Sequence, residues 1–107
     1  YQHHMDTRAF NRILALTADD AREGRAGFTD GRRVMQSMAE AGLSPDWCTF
    51  GAMLDVVSGD ARNGTCMLWQ VEQVLDMMVG AKMPPHHWHY RVALEAVAWC
   101  AARGTAG

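Results

Sequence analysis

Asp20-Ala21-Arg22-Glu23-Gly24 and Asp60-Ala61-Arg62-Asn63-Gly64 hold the same Asp, Ala, Arg and Gly at the same places, 40 positions apart. Outward from that pair the spacing holds on both sides. Phe10, Phe50 and Tyr90 lie 40 apart, as do Leu14, Leu54 and Leu94, and Gly24, Gly64 and Gly104. Val34, Met38, Ala41 and Pro45 recur as Val74, Met78, Ala81 and Pro85. In a chain that is 49% hydrophobic, apolar residues alone would often coincide. Agreement at Asp, Arg, Gly and Pro as well makes the period a property of the chain. A fixed period between about 20 and 50 residues marks a repeat array, whose units bury their apolar faces on one another.

Each unit contains two helical patterns. The first carries Phe10, Ile13 and Leu14, then Phe50, Met53, Leu54 and Val57, then Tyr90, Leu94 and Val97, the spacing of one helix face. The second carries Val34, Met35 and Met38, then Val74, Leu75 and Met78, with Phe28 and Leu68 at its start. Thr29 and Asp30 stand where an N-cap would satisfy the orphan amides of that second helix. Ala41-Gly42-Leu43-Ser44-Pro45 supplies a C-terminal glycine and then a proline that ends it, whereas in unit two Lys82 replaces the glycine and Pro84-Pro85 breaks the helix. Residues 20–27 and 58–64 read as the connections between paired helices.

The fold expected from this pattern is all-α, an α-solenoid of stacked antiparallel helix-turn-helix repeats. Its units run 7–46, 47–86 and a partial 87–107, one helical-repeat segment over residues 1–107. The segment is expected to be a fragment of a longer array, because such arrays need end caps and usually three or more units. Met35, Met38, Met53 and Met78 fall on core positions, and Trp69 and Trp99 follow the apolar spacing and are expected in the core. Trp47 and Trp88 stand at helix starts, better placed to meet a partner.

Composition narrows the function. The chain has 107 residues, a formal charge of -2 and three cysteines, Cys48, Cys66 and Cys100, without a CxxC spacing. That balance argues against a strongly basic surface, and the cysteines suggest neither a disulfide framework nor a four-cysteine zinc site. No apolar run is long enough to span a membrane. His3, His4, His86, His87 and His89 lack the spacing of a metal site, so no metal and no cofactor is expected. Catalysis is not expected either. No nucleophile stands in an activating setting, the repeat places no carboxylate pair, and no glycine-rich phosphate loop follows a strand. The basic concentration in the sequence is Arg22, Arg25, Arg32 and Arg33, candidates for phosphate contact.

Cys48-Thr49-Phe50-Gly51-Ala52-Met53-Leu54 and Met38-Ala39-Glu40-Ala41-Gly42-Leu43-Ser44-Pro45-Asp46 resemble the pentatricopeptide repeat, whose unit opens with a Val-Thr-Tyr-Asn-type helix start and closes with Met, Gly, an aliphatic residue, Pro and Asp. Ala9-Phe10-Asn11 resembles the same opening, and Pro85 with His89-Tyr90 is a weaker copy of the junction. The family's usual unit is shorter, with the surplus here falling around the Asp-Ala-Arg segment. A longer first helix or a longer loop would account for it.

The resemblance implies RNA held along the face of the first helices, one base per unit read by the residue after the helix-start aromatic and by the last residue of the unit. Carried over, these are Asn11 with Asp46, Gly51 with His86, and Arg91 in the partial unit. Asn with Asp is a pair the family uses, with a preference for uracil. Gly with His is not, because glycine has no side chain to reach a base. The implied function is a non-catalytic, RNA-associated helical-repeat protein, a structural component of an organellar ribonucleoprotein such as the mitochondrial ribosome, or an RNA-processing factor. Its expected partners are RNA, single-stranded or ribosomal, and proteins of that assembly. Its expected location is the mitochondrion, with the plastid as alternative. The competing reading is a helical-hairpin scaffold that binds protein without touching RNA.

Overall fold

The computed structural model describes residues 6–64 and 68–102, so His3, His4, Cys66 and Gly104 lie outside the described residues. Among the described residues are five helices and no strand: α1 Thr7–Arg22, α2 Phe28–Glu40, α3 Trp47–Arg62, α4 Leu68–Gly80 and α5 His87–Ala102. The first helices begin at positions 7, 47 and 87 and the second helices at 28 and 68, so the helix starts keep the 40-residue spacing of the sequence.

Each start has a local cause. The Asp6 carboxylate accepts the Ala9 amide at 2.9 Å and opens α1. Asp46 opens α3 by accepting the Thr49 amide at 3.0 Å, while Thr49 Oγ1 accepts the Asp46 amide at 3.0 Å. In α5 an imidazole closes the same ring, His89 Nδ1 accepting the His86 amide at 2.9 Å. The N-cap of α2 is Gly27, not Thr29 or Asp30. The helix starts earlier because two carboxylates reach its first amides: Asp30 Oδ2 accepts from Gly27 at 2.9 Å, and Asp60 of α3 accepts from Phe28 at 2.8 Å.

α2 ends as expected at its glycine, but α4 ends by the same closure at Lys82 and not at the Pro84-Pro85 break. The Leu43 amide returns to the Met38 carbonyl at 3.1 Å and the Met83 amide to the Met78 carbonyl at 2.9 Å, the long bond of a Schellman closure. Gly42 takes the left-handed conformation this needs, and Lys82 takes it in the second copy with φ 59°.

Two readings of the sequence need correction. Asp20–Arg22 and Ser58–Arg62 are not connections but the last turns of α1 and α3. Ala21 and Ala61 bury completely there, and that tertiary contact carries each helix past its Asp. The long unit is therefore a long first helix. Trp69 and Trp99 are also not in the core. Trp69 is half exposed, edge-on to Phe28 at 5.8 Å, and Trp99 lies under the Arg62 guanidinium at 5.5 Å. Both sit at the rim of the buried face, where an indole keeps its N–H within reach of water.

The helices pack in two layers. α1 lies against α3 and α3 against α5, while α2 rests on α1 and α3, and α4 on α3 and α5. The dimensions, 51 × 30 × 19 Å, fit that arrangement, the shortest being the depth of two helices. α3 is the hub, and from Thr49 to Ala61 only Asp55 escapes full burial. Leu14, Phe28, Phe50, Leu54, Val57, Val74 and Met78 form one contiguous core. Met38 and Met53 are buried, and Met35 packs on the cluster from its edge. α5 differs: Tyr90, Leu94 and Val97, matched in position to buried Phe50, Leu54 and Val57, are exposed. The residues it buries against α3 and α4 are instead His89, Ala93, Ala96 and Cys100.

Candidate nucleic-acid interface

The junction between the first two units brings together the residues read as the first pair. Asn11 Nδ2, on α1, donates to Asp46 Oδ1 at 3.0 Å, and Thr49 Oγ1 lies within hydrogen-bonding reach of both Asn11 Oδ1 and Asp46 Oδ1, donating to one at a time. A carboxylate only accepts, so Asp46 fixes which way the Asn11 amide points. One N–H and one lone pair of that half-buried amide remain unused, enough for a base edge that offers an acceptor beside a donor.

Burial of the Asp46 carboxyl pushes its pKa up, but the bonds it accepts from the Thr49 amide, the Asn11 side chain, the Thr49 hydroxyl and the Cys48 amide outweigh this and hold it below the usual carboxylate range. A depressed carboxyl contributes stability that is present above the ordinary carboxylate pKa and is lost as the pH falls through the lower, folded value. Asp46→Asn keeps an N-cap but has no charge to lose. Thermal melts taken from neutral pH into the acid range are expected to show a shallower loss of Tm for Asp46→Asn than for the native chain. Parallel curves would mean that Asp46 does not titrate as described.

The second pair is not assembled. A Cβ on Gly51 would lie 2.2 Å from the Trp88 ring, so the indole rests directly on the Gly51 backbone. Trp88 also stacks on His89 at 3.7 Å and keeps about 38% of its surface exposed. His86 packs against Trp47 at 4.8 Å, and Trp47 Nε1 donates to the Pro84 carbonyl at 3.2 Å. His89 is fully buried; with Nδ1 accepting from the His86 amide, Nε2–H donates to the Trp47 carbonyl at 3.0 Å. Arg91 stands exposed on α5 at the position matching Asn11 and Gly51.

One turn further along the same face the charge changes sign. Burial raises the Asp55 pKa, opposed by Arg22 and reinforced by Glu95 and Asp19. Ser58 Oγ donates to Glu95 Oε1 at 2.9 Å. The middle of the first-helix face is thus acidic.

The four arginines singled out in the sequence do not converge. Arg22 pairs with Asp19, Arg25 with Asp20 at 3.0 Å, and Arg33 lies 3.9 Å from Asp30. Arg32 sits over the Phe28 ring at 6.0 Å. Arg32 and Arg33 belong to α2, in the other layer from Asn11. Arg8 and Arg12, which form no run of adjacent basic residues, flank Asn11 and line an open pocket with it, Asp6 and Cys48. Their four-residue spacing on one helix was the available signal.

No helix of the described residues is long and apolar enough to cross a membrane. Compared with protein-family models, curated proteins and solved structures, the chain matches none of them.

Proposed function

We propose that this chain is a non-catalytic helical-repeat protein that associates with single-stranded RNA along the face formed by α1, α3 and α5. The observation that carries the reading is the Asn11–Asp46 bond, which joins the two residues of the one recognisable pair across a unit junction and leaves the amide half exposed. The 40-residue spacing of the helix starts supports the α-solenoid, with α5 as the first helix of a third unit. In that arrangement a second helix would cover Tyr90, Leu94 and Val97 as α4 covers α3.

Arg8 and Arg12 take the phosphates beside Asn11, in place of Arg22 and Arg25, which are paired with Asp19 and Asp20, and of Arg32 and Arg33, which lie in the other layer. Trp88 offers an indole for base stacking where Gly51 offers no side chain. With one good pair and acidic Asp55 and Glu95 nearby, the role that fits is architectural: a component of an organellar ribonucleoprotein such as the mitochondrial ribosome. The resemblance of the Met38–Leu54 junction to the pentatricopeptide repeat supports the organellar setting. The acidic stretch also favours a second reading, a protein-binding scaffold without RNA contact.

The salt dependence of affinity for single-stranded RNA separates the two. Each phosphate neutralised contributes about 0.7 to the log–log slope, so Arg8→Ala with Arg12→Ala is expected to lower it by about 1.4. An unchanged slope removes these arginines from the interface. No RNA binding at low salt leaves the scaffold.

A further inference from the structure

α2 and α4 do not close on each other in the outer layer; the groove between them, about 580 Å³, is closed off by the turn from Leu43 to Pro45. Its floor is apolar. Met35 and Met77 contribute half-buried side chains that already pack on the core, with Leu43 beside them. Methionine side chains have three rotatable bonds and a polarisable sulfur, so such a floor reshapes around an inserted side chain at little cost.

The rim is cationic. Arg32 has the Phe28 ring as its neighbour and pairs with no described carboxylate. Arg33 is mostly exposed, its guanidinium 3.9 Å from Asp30 Oδ1, at the outer limit of an ion pair. Two exposed guanidinium groups over an apolar floor, only Arg33 having a carboxylate beside it, make a local positive field in a chain of net charge -2, and that field selects a negatively charged partner.

The floor distinguishes between anionic partners. Single-stranded nucleic acid is held through bases stacked on aromatic rings, and no aromatic residue lines this groove. A peptide side chain such as leucine or phenylalanine fits thioethers and leucine directly. We propose that the groove between α2 and α4 docks a short acidic segment of a partner protein. One large apolar anchor enters between Met35, Leu43 and Met77, and carboxylates on either side meet Arg32 and Arg33. This site faces away from Asn11 and does not depend on the RNA reading.

The test uses the whole chain with methyl-labelled methionine and a synthetic peptide of alternating Glu and Leu, its Lys-for-Glu counterpart serving as control. The acidic peptide is expected to shift the Met35 and Met77 methyl signals saturably while buried Met53 stays in place. The double charge reversal Arg32→Glu with Arg33→Glu, at two exposed positions that should not disturb folding, is expected to weaken binding about tenfold. The proposal is overturned if neither methyl signal moves, if the lysine peptide binds equally well, or if single-stranded RNA shifts the same two signals and displaces the peptide.

Discussion

Gly59→Val is expected to destabilise the protein by about 3 kcal/mol, mostly through overpacking at a contact between helix backbones. Glycine inside a helix ordinarily costs about 1 kcal/mol relative to alanine, so its presence within α3 needs a reason. A Cβ at Gly59 would lie 2.9 Å from the Ala21 Cβ and 2.9 Å from the Arg22 backbone nitrogen. Backbone atoms cannot rotate aside as a side-chain end can, so α1 and α3 would have to separate. The contact is also polar: Asn63 Nδ2 donates to the Ala21 carbonyl at 2.7 Å and to the Gly59 carbonyl at 3.0 Å, closing the ends of two helices at once. Gly80, with open space around it, serves as the control, and Gly80→Ala is expected to cost nothing. Urea denaturation measures both. Equal stability of Gly59→Val and the native chain would mean that the helices do not touch there.

Phe50→Ala is expected to cost about 3 to 5 kcal/mol and Tyr90→Ala less than about 0.5, although the two residues occupy matching positions. Phe50 is about 1% exposed, at the centre of the cluster formed with Leu14, Leu54 and Val74. Its removal leaves a cavity in the middle of the molecule, in the larger of its buried clusters. Tyr90 is 51% exposed on α5, and Leu94 beside it is 69% exposed. The size of the difference, read from paired denaturation curves, reports directly on which matched positions have a second helix over them. Similar losses for both variants would mean that the α5 face is covered in solution.

That contrast also shows where sequence reading stops. Periodicity assigns residues to a helix face, but it says nothing about whether a neighbour covers the face. Tyr90, Leu94 and Val97 match the buried set in spacing and still lie exposed. The starts of the first helices follow the phase of the repeat, and their causes are local, as with Asp46 and Thr49. The start of α2 was not legible, because one of its two carboxylates is Asp60, thirty-two residues away. Gly59 looked like loop punctuation for the same reason, its explanation being a backbone in another helix.

At the candidate site, Asn11 with Asp46 was readable from the phase of the repeat alone. Trp88 over Gly51 was not, since a ring filling the space of a missing side chain leaves no trace in spacing. The arginines reversed in rank because ion pairing decides which charges remain available. Arg25 finds Asp20, whereas Arg8 and Arg12 line open space beside Asn11.

Association with RNA at Asn11 is most directly tested by fluorescence anisotropy of labelled uridine-rich RNA at low salt, comparing the native chain with Asn11→Ala. The expected result is saturable binding that weakens about fivefold on loss of the amide, the equivalent of about 1 kcal/mol. No binding by the native chain, or equal binding by the two proteins, would contradict it.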